Sequence, residues 1–231
     1  MARSTRYCYW SVATLRYLPF MQGCVDSARK SGVFSDFNVL TKEPLADCQC
    51  FDLIEFQNEG GLFPIFYLKL AMDRLNYDYF VWLDADTLFR SAPDGLLLPL
   101  ANGPIHVPFL TGLKDCSGLE TANRYEGARL TKPYFQCATA FWIVHHDVIA
   151  AVYELARNYW ESVSAEGFQP NLSEVLGYVA HLLVADYRPH LQSSFPRLWS
   201  EQRESEPCQP HRSRPDGIGQ SSIFHLGKGH K

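Results

Sequence analysis

The chain is 231 residues long, enough for one large domain or two small ones, and it is 46% apolar and 20% charged, which excludes a wholly disordered polypeptide. Its formal net charge is −4 with both signs interspersed, so the concentrated basic footprint of a nucleic-acid binder is missing. Small anionic ligands stay compatible with this balance, because a metal and a few placed cations bind them without making a protein basic. No apolar run approaches the ~20 residues a membrane-spanning helix requires, so no transmembrane segment is expected. The first fifteen residues lack the apolar core of a signal peptide. Seven cysteines (Cys8, Cys24, Cys48, Cys50, Cys116, Cys137, Cys208) are odd in number and lack paired CxxC spacing. Reduced thiols in a cytoplasmic protein are therefore expected rather than a disulfide framework. Cys48-Gln-Cys50 is too closely spaced for a zinc knuckle and has no second pair.

In chain order, residues 7–12 are aromatic and β-prone, and Leu18-Pro19 reads as a turn into a helix over about residues 20–31. Residues 37–40 and 51–56 are short apolar strands. Pro64 suits the first position of a helix on which Ile65, Leu68, Met72 and Leu75 share a face. Residues 79–83, YFVWL, are apolar on both faces, as the middle strand of a covered sheet should be. Strands alternating with helices imply parallel crossover units and an α/β fold.

Residues 105–110 are a candidate strand and residues 111–132 a long polar loop. Residues 135–144 read as a buried strand. A helix is expected at about residues 147–162, with Val148, Val152, Leu155 and Tyr159 as its apolar stripe, and another at about 172–184. Residues 197–220 are charged and rich in Pro and Gly, which predicts a loop, and a last strand at 222–225 leads into a Gly-Lys tail. No internal repeat or low-complexity linker is visible, so one domain over 1–231 is expected.

The informative segment is Leu83-Asp84-Ala85-Asp86-Thr87, directly after the YFVWL strand. Ligands of parallel sheets bind beyond the carboxyl ends of strands, where Asp84 and Asp86 would emerge. Two carboxylates separated by one small residue can turn toward a single cation. Oxygen ligation of that kind suits Mg²⁺ or Mn²⁺, which favour a diphosphate as their further ligand. Haloacid-dehalogenase-type phosphatases also follow an apolar strand with Asp-x-Asp, but they require Thr four residues after the first Asp. Here that position holds Leu88.

With these residues in place, the chain resembles the GT-A glycosyltransferases, and most the glycogenin-like retaining family (family 8). Four segments carry the resemblance in the family's order: Ser11-Val12-Ala13-Thr14 after the first strand, Lys69-Leu70, Leu83-Asp-Ala-Asp86, and Phe224-His225-Leu226-Gly227-Lys228. A looser match is Gln136-Cys137-Ala138-Thr139-Ala140, standing for the family's Asn-Ala-Gly strand. The Pro-Trp of the family's terminal motif is missing, and Gly227 follows His225 after one residue rather than two, so Lys231 competes with Lys228 as the phosphate lysine.

The resemblance implies a GT-A type nucleotide-diphospho-sugar transferase fold, with a mostly parallel central sheet flanked by helices. It implies a nucleotide-binding half at about 1–100 and an acceptor half at about 101–231. It further implies a sugar moved, with retention, from a UDP-sugar to a glycan, glycolipid-precursor or small-molecule acceptor. Mn²⁺ or Mg²⁺ would be held by Asp84, Asp86 and His225. Donor contacts would come from Ser11, Val12, Ala13, Lys69, Asp84, Ala85, Thr139, Gly227 and Lys228. Glu174, near the start of the 172–184 helix, would be the catalytic carboxylate facing the transferred sugar. Asn171 and Glu174 also form a capping-box pattern, which needs no chemistry. His145-His146 are adjacent strand residues that point to opposite faces, so a structural role is expected of them. Two further readings compete: a non-catalytic nucleotide-sugar or glycan-binding domain of the same fold, and a sugar nucleotidyltransferase. The second lacks a Gly-rich basic loop after the first strand.

Overall fold

The structure is a computed structural model, described at residues 6–52, 65, 75–93, 105–106, 139–167, 172–183, 199–201 and 223–225. The chain divides into two units that interleave along the sequence. The first comprises Met1–Glu55, Val81–Asn102 and Gln192–Lys231, and the second Phe56–Phe80 and Gly103–Leu191.

In the first unit, β1 (Tyr7–Ala13), β2 (Asp36–Thr41) and β3 (Gln49–Asp52) run parallel, with Tyr9 opposite Phe37 and Leu40 opposite Phe51. The helix α1 (Leu18–Lys30) makes the crossover from β1 to β2. Pro19 therefore lies within the first helical turn and not in a turn before it, because a missing N–H costs nothing there and the ring presets φ. The buried face of α1 is Met21, Cys24, Val25 and Ala28, the i, i+3, i+4, i+7 spacing of an amphipathic helix. Its end is closed by reciprocal bonds: Gly32 N–H to the Arg29 carbonyl (3.1 Å) and Val33 N–H to the Ala28 carbonyl (2.9 Å). This Schellman closure requires a left-handed residue, supplied by Gly32 at φ +81°. Arg29 then donates to the carbonyls of Val33 (2.8 Å), Ser35 (3.0 Å) and Asp47 (3.0 Å), tying the helix end to the chain on both sides of β2.

The full strand order is β3-β2-β1-β4-β7-β6, where β4 is Tyr79–Leu83, β6 is Ile105–His106 and β7 is Phe141–His145. With β6 antiparallel to β7, the sheet is mixed and mostly parallel. A second sheet, within the first unit, has the order β5-β9-β8, from β5 (Thr87–Phe89), β8 (Trp199–Glu201) and β9 (Ile223–His225). The expected terminal strand is present as β9. Two strands were not anticipated: β5 immediately after the carboxylates, and β8 inside the segment expected to be loop. Both are three residues long and exist by pairing with β9, which no local pattern announces. Of the expected 51–56 strand, residues 51 and 52 belong to β3, which begins at Gln49 in parallel register with β2, and residues 53–56 lie outside the described residues.

In the second unit, a 3-10 turn over His146–Val148 leads into α2 (Ile149–Ala165), and α3 (Leu172–Leu183) follows. The buried face of α2 is Ile149, Val152, Tyr153, Ala156, Tyr159 and Val163. Val152 and Tyr159 of the expected stripe are buried as expected, whereas Val148 falls in the 3-10 turn and Leu155 is half-buried beside the buried face. Burial of apolar side chains of this size stabilises by about 1.5–3 kcal/mol each. Tyr159 meets Tyr178 of α3 with ring centroids 4.5 Å apart. The rest of the expected helix after Pro64, beyond buried Ile65 and Leu75, lies outside the described residues, as do the 111–132 loop and Lys69, Gly227 and Lys228.

Candidate active site

In the first unit the chain leaves β4 at Leu83, turns through Asp84-Ala85-Asp86 and re-enters extended structure in β5. Exposure alternates across this passage. Ala85, Thr87 and Phe89 are buried, whereas Asp84, Asp86 and Leu88 are half-buried. Both carboxylates therefore sit on the more accessible side, with their intervening residues locked into the core.

The turn is held from four directions. From β1, the Ser11 hydroxyl donates to the carbonyl oxygen of Leu83 at 2.7 Å in a buried setting. From α1, the Ser27 hydroxyl accepts from the Phe89 N–H (2.9 Å), and the Ser31 hydroxyl donates to the Phe89 carbonyl (3.2 Å). Beneath β5, Tyr9, Phe37 and Phe89 form a ring cluster with centroid separations of 4.8, 5.2 and 6.0 Å. The fourth support is β9, which pairs antiparallel with β5 so that His225 stands directly opposite Thr87.

This register is the main finding at the site. Residue 225 is brought beside the residue following Asp86, although 138 positions separate Thr87 and His225 in the chain. The Thr87 hydroxyl is buried and has no hydrogen-bond partner. Ordinary burial leaves few such atoms, and this one lies next to the carboxylate pair.

Asp84 itself is held by its own strand. The Trp82 indole N–H donates to Asp84 Oδ1 at 3.1 Å, as strand periodicity allows for residues two apart. Sequence reasoning missed Trp82, although its spacing from Asp84 was visible. Negative charge from Asp86 also reaches α1. Cys24 has its thiol pushed well above its usual range, by burial first, then by Cys48 and Asp86. Cys48 is raised to about 12, by burial first and then by Cys50.

Of the other residues expected at the site, Ser11 and Ala13 are buried and Val12 is half-buried, so their side chains are largely committed to the fold. Thr139 is half-buried, just before β7, in the second unit. Glu174 lies in the first turn of α3 in that same unit and is only 3% exposed. His145 and His146 are engaged structurally. His145 Nδ1 accepts from the Asp147 N–H (3.1 Å), His146 N–H donates to the Asp78 carbonyl (2.9 Å), and the two rings pack on Tyr79 and Phe80.

Among the described residues no three His, Cys, Asp or Glu side chains are grouped to hold a metal ion. The donor set at the turn nevertheless has the right chemistry for a hard cation: paired carboxylates, one of them already carrying the hydrogen-bond donor that ligating carboxylates usually have.

No protein-family model and no curated protein matches the chain. Solved structures do. The galactosyltransferase LgtC in complex with donor and acceptor sugar analogs superposes with a TM-score of 0.61 at 12% identity, covering 95% of this chain and 86% of that one. An active-site mutant of LgtC gives a TM-score of 0.59, again at 12% identity and with the same coverage. The chain has the GT-A glycosyltransferase fold. The fold expected from the motif resemblance is thus the one observed.

Proposed function

We propose that this protein is a metal-dependent glycosyltransferase that moves a sugar from a nucleotide-sugar donor, UDP-sugars being favoured, to a glycan, glycolipid-precursor or small-molecule acceptor. The observation that carries the reading is the turn between β4 and β5: Asp84 and Asp86 lie on its accessible side, and β9 sets residue 225 against Thr87. The GT-A fold shared with a galactosyltransferase supports it.

In this reading Asp84, Asp86 and His225 hold Mn²⁺ or Mg²⁺. A bound divalent cation supplies positive charge against the diphosphate that departs from the anomeric carbon. Lys69 and Lys228, with the Gly227 backbone, neutralise the remaining phosphate charge. The end of β1 takes the uracil through the backbone of Ser11, Val12 and Ala13, since the Ser11 hydroxyl is already spent on Leu83. Ala85 and Thr139 line the donor site, and Glu174 contributes negative charge to the oxocarbenium-like centre. Retention of configuration rests on the family 8 resemblance. The described cysteines, Cys8, Cys24, Cys48 and Cys50, are free, in keeping with a cytoplasmic location. No described helix is long and apolar enough to cross a membrane.

A thermal-shift panel of nucleotide sugars with and without Mn²⁺ tests the reading. A ligand at a hundredfold excess over Kd stabilises by about 2.7 kcal/mol, so the donor should stand out and should do so only with metal. Asp86→Asn should abolish most of that metal-dependent shift while the apo melting temperature is retained. Unchanged Mn²⁺–UDP affinity in this variant removes the metal assignment. Donor binding without any Mn²⁺-stimulated hydrolysis or transfer would leave a binding domain instead of an enzyme.

A further inference from the structure

Two buried tryptophans of the first unit, Trp10 on β1 and Trp82 on β4, differ in the fate of their indole N–H groups. That of Trp10 has no hydrogen-bond partner. That of Trp82, in a side chain 4% exposed, donates to Asp84 Oδ1 at 3.1 Å. A buried donor in β4 is therefore matched to the carboxylate at the point where the strand ends.

This contact has consequences for a ligand carboxylate. An aspartate at a strand end can rotate about two bonds, and each rotation redirects the oxygen lone pairs offered to a cation. A donor fixed in a buried ring holds one oxygen in place and thereby sets the plane of the carboxylate. The donor is also uncharged and has no ionisation near neutral pH, so it orients Asp84 without neutralising it. A lysine or arginine in the same place would compete with a metal for the negative charge.

We propose that Trp82 is a positioning residue, whose indole N–H holds Asp84 in the orientation that receives the divalent cation. The inference rests on the metal-site reading given above. Outer-shell partners of metal ligands typically contribute 10- to 100-fold in metal affinity. A single neutral N–H belongs at the low end, about tenfold.

The experiment titrates Mn²⁺ into full-length protein saturated with UDP, in the parent, in Trp82→Phe and in Trp82→benzothienylalanine. The last substitution keeps the bicyclic shape and puts sulfur where the N–H was, so it decides the matter if the smaller phenyl ring unfolds the protein. Melting temperature without metal and affinity for free uridine are measured alongside. The expected result is a Mn²⁺ dissociation constant raised about tenfold in the benzothienylalanine protein, with apo melting temperature and uridine affinity unchanged. Parent-like Mn²⁺ affinity in that protein overturns the positioning role. So does an equal loss of uridine and Mn²⁺ affinity, which would mark Trp82 as packing only. A parent that binds no Mn²⁺ with UDP overturns the metal site itself, and the role of Trp82 falls with it.

Discussion

Ser11 and Leu83, 72 positions apart, are joined by a buried hydrogen bond of 2.7 Å from the serine hydroxyl to the backbone carbonyl. The bond fixes the last residue of β4 against β1, one residue before Asp84. The stem of the carboxylate turn is therefore held by a side chain whose one O–H donor is committed to the backbone.

Ser11→Ala should lower stability by about 1–3 kcal/mol, because the buried Leu83 carbonyl loses its side-chain donor. Urea denaturation of parent and variant reads this directly. A change within a few tenths of a kcal/mol would show that the carbonyl finds another donor at no cost.

His225→Ala should weaken Mn²⁺-dependent UDP binding by about tenfold or more, while leaving uridine binding in place. The register opposite Thr87 motivates the site of the change. Melting curves of the apo and Mn²⁺–UDP forms separate a ligand from a packing histidine: an equal drop in both assigns His225 to packing.

Stability should decline as pH rises above 9. Burial, as the largest cause, pushes the Cys48 thiol up to about 12 from a usual 9.0, and Cys24 is raised for the same first reason. The unfolded chain then releases a proton that the folded one keeps, so the contribution is complete below pH 9 and is lost as pH climbs toward 12. Cys48→Ser should flatten the slope of unfolding free energy between pH 9 and about 11. Parallel slopes in parent and variant would mean the thiol ionises alike in both states.

Glu174→Gln should reduce turnover at least a hundredfold, about 2.7 kcal/mol of barrier, at an unchanged melting temperature. Glutamine serves equally well in a helix-capping role but brings no negative charge. Single-turnover kinetics with the identified donor provide the test, and turnover within a few-fold of the parent would leave Glu174 as a cap.

The α/β class and the carboxylate pair were legible along the chain because each depends on local order. YFVWL is apolar on both faces, so it could only be an inner strand, and Asp84 and Asp86 follow it by simple succession. The amphipathic face of α1 was equally local, as was the helix that became α2, although a 3-10 turn at His146–Val148 precedes it and takes Val148 out of its stripe. What bears on the site over long distances was decided by tertiary structure. β5 and β8 are three residues each and too short to declare themselves; they are strands because β9 pairs with both. That pairing sets His225 opposite Thr87, a register that spacing alone could not derive. Ser11 was read as a nucleotide contact, yet its hydroxyl closes on Leu83, a partner chosen by the folded sheet and not by any neighbour in sequence. The division follows from range: periodicity and succession encode interactions a few residues apart, whereas register between distant strands and the destination of a buried hydroxyl exist only once the chain has folded back on itself.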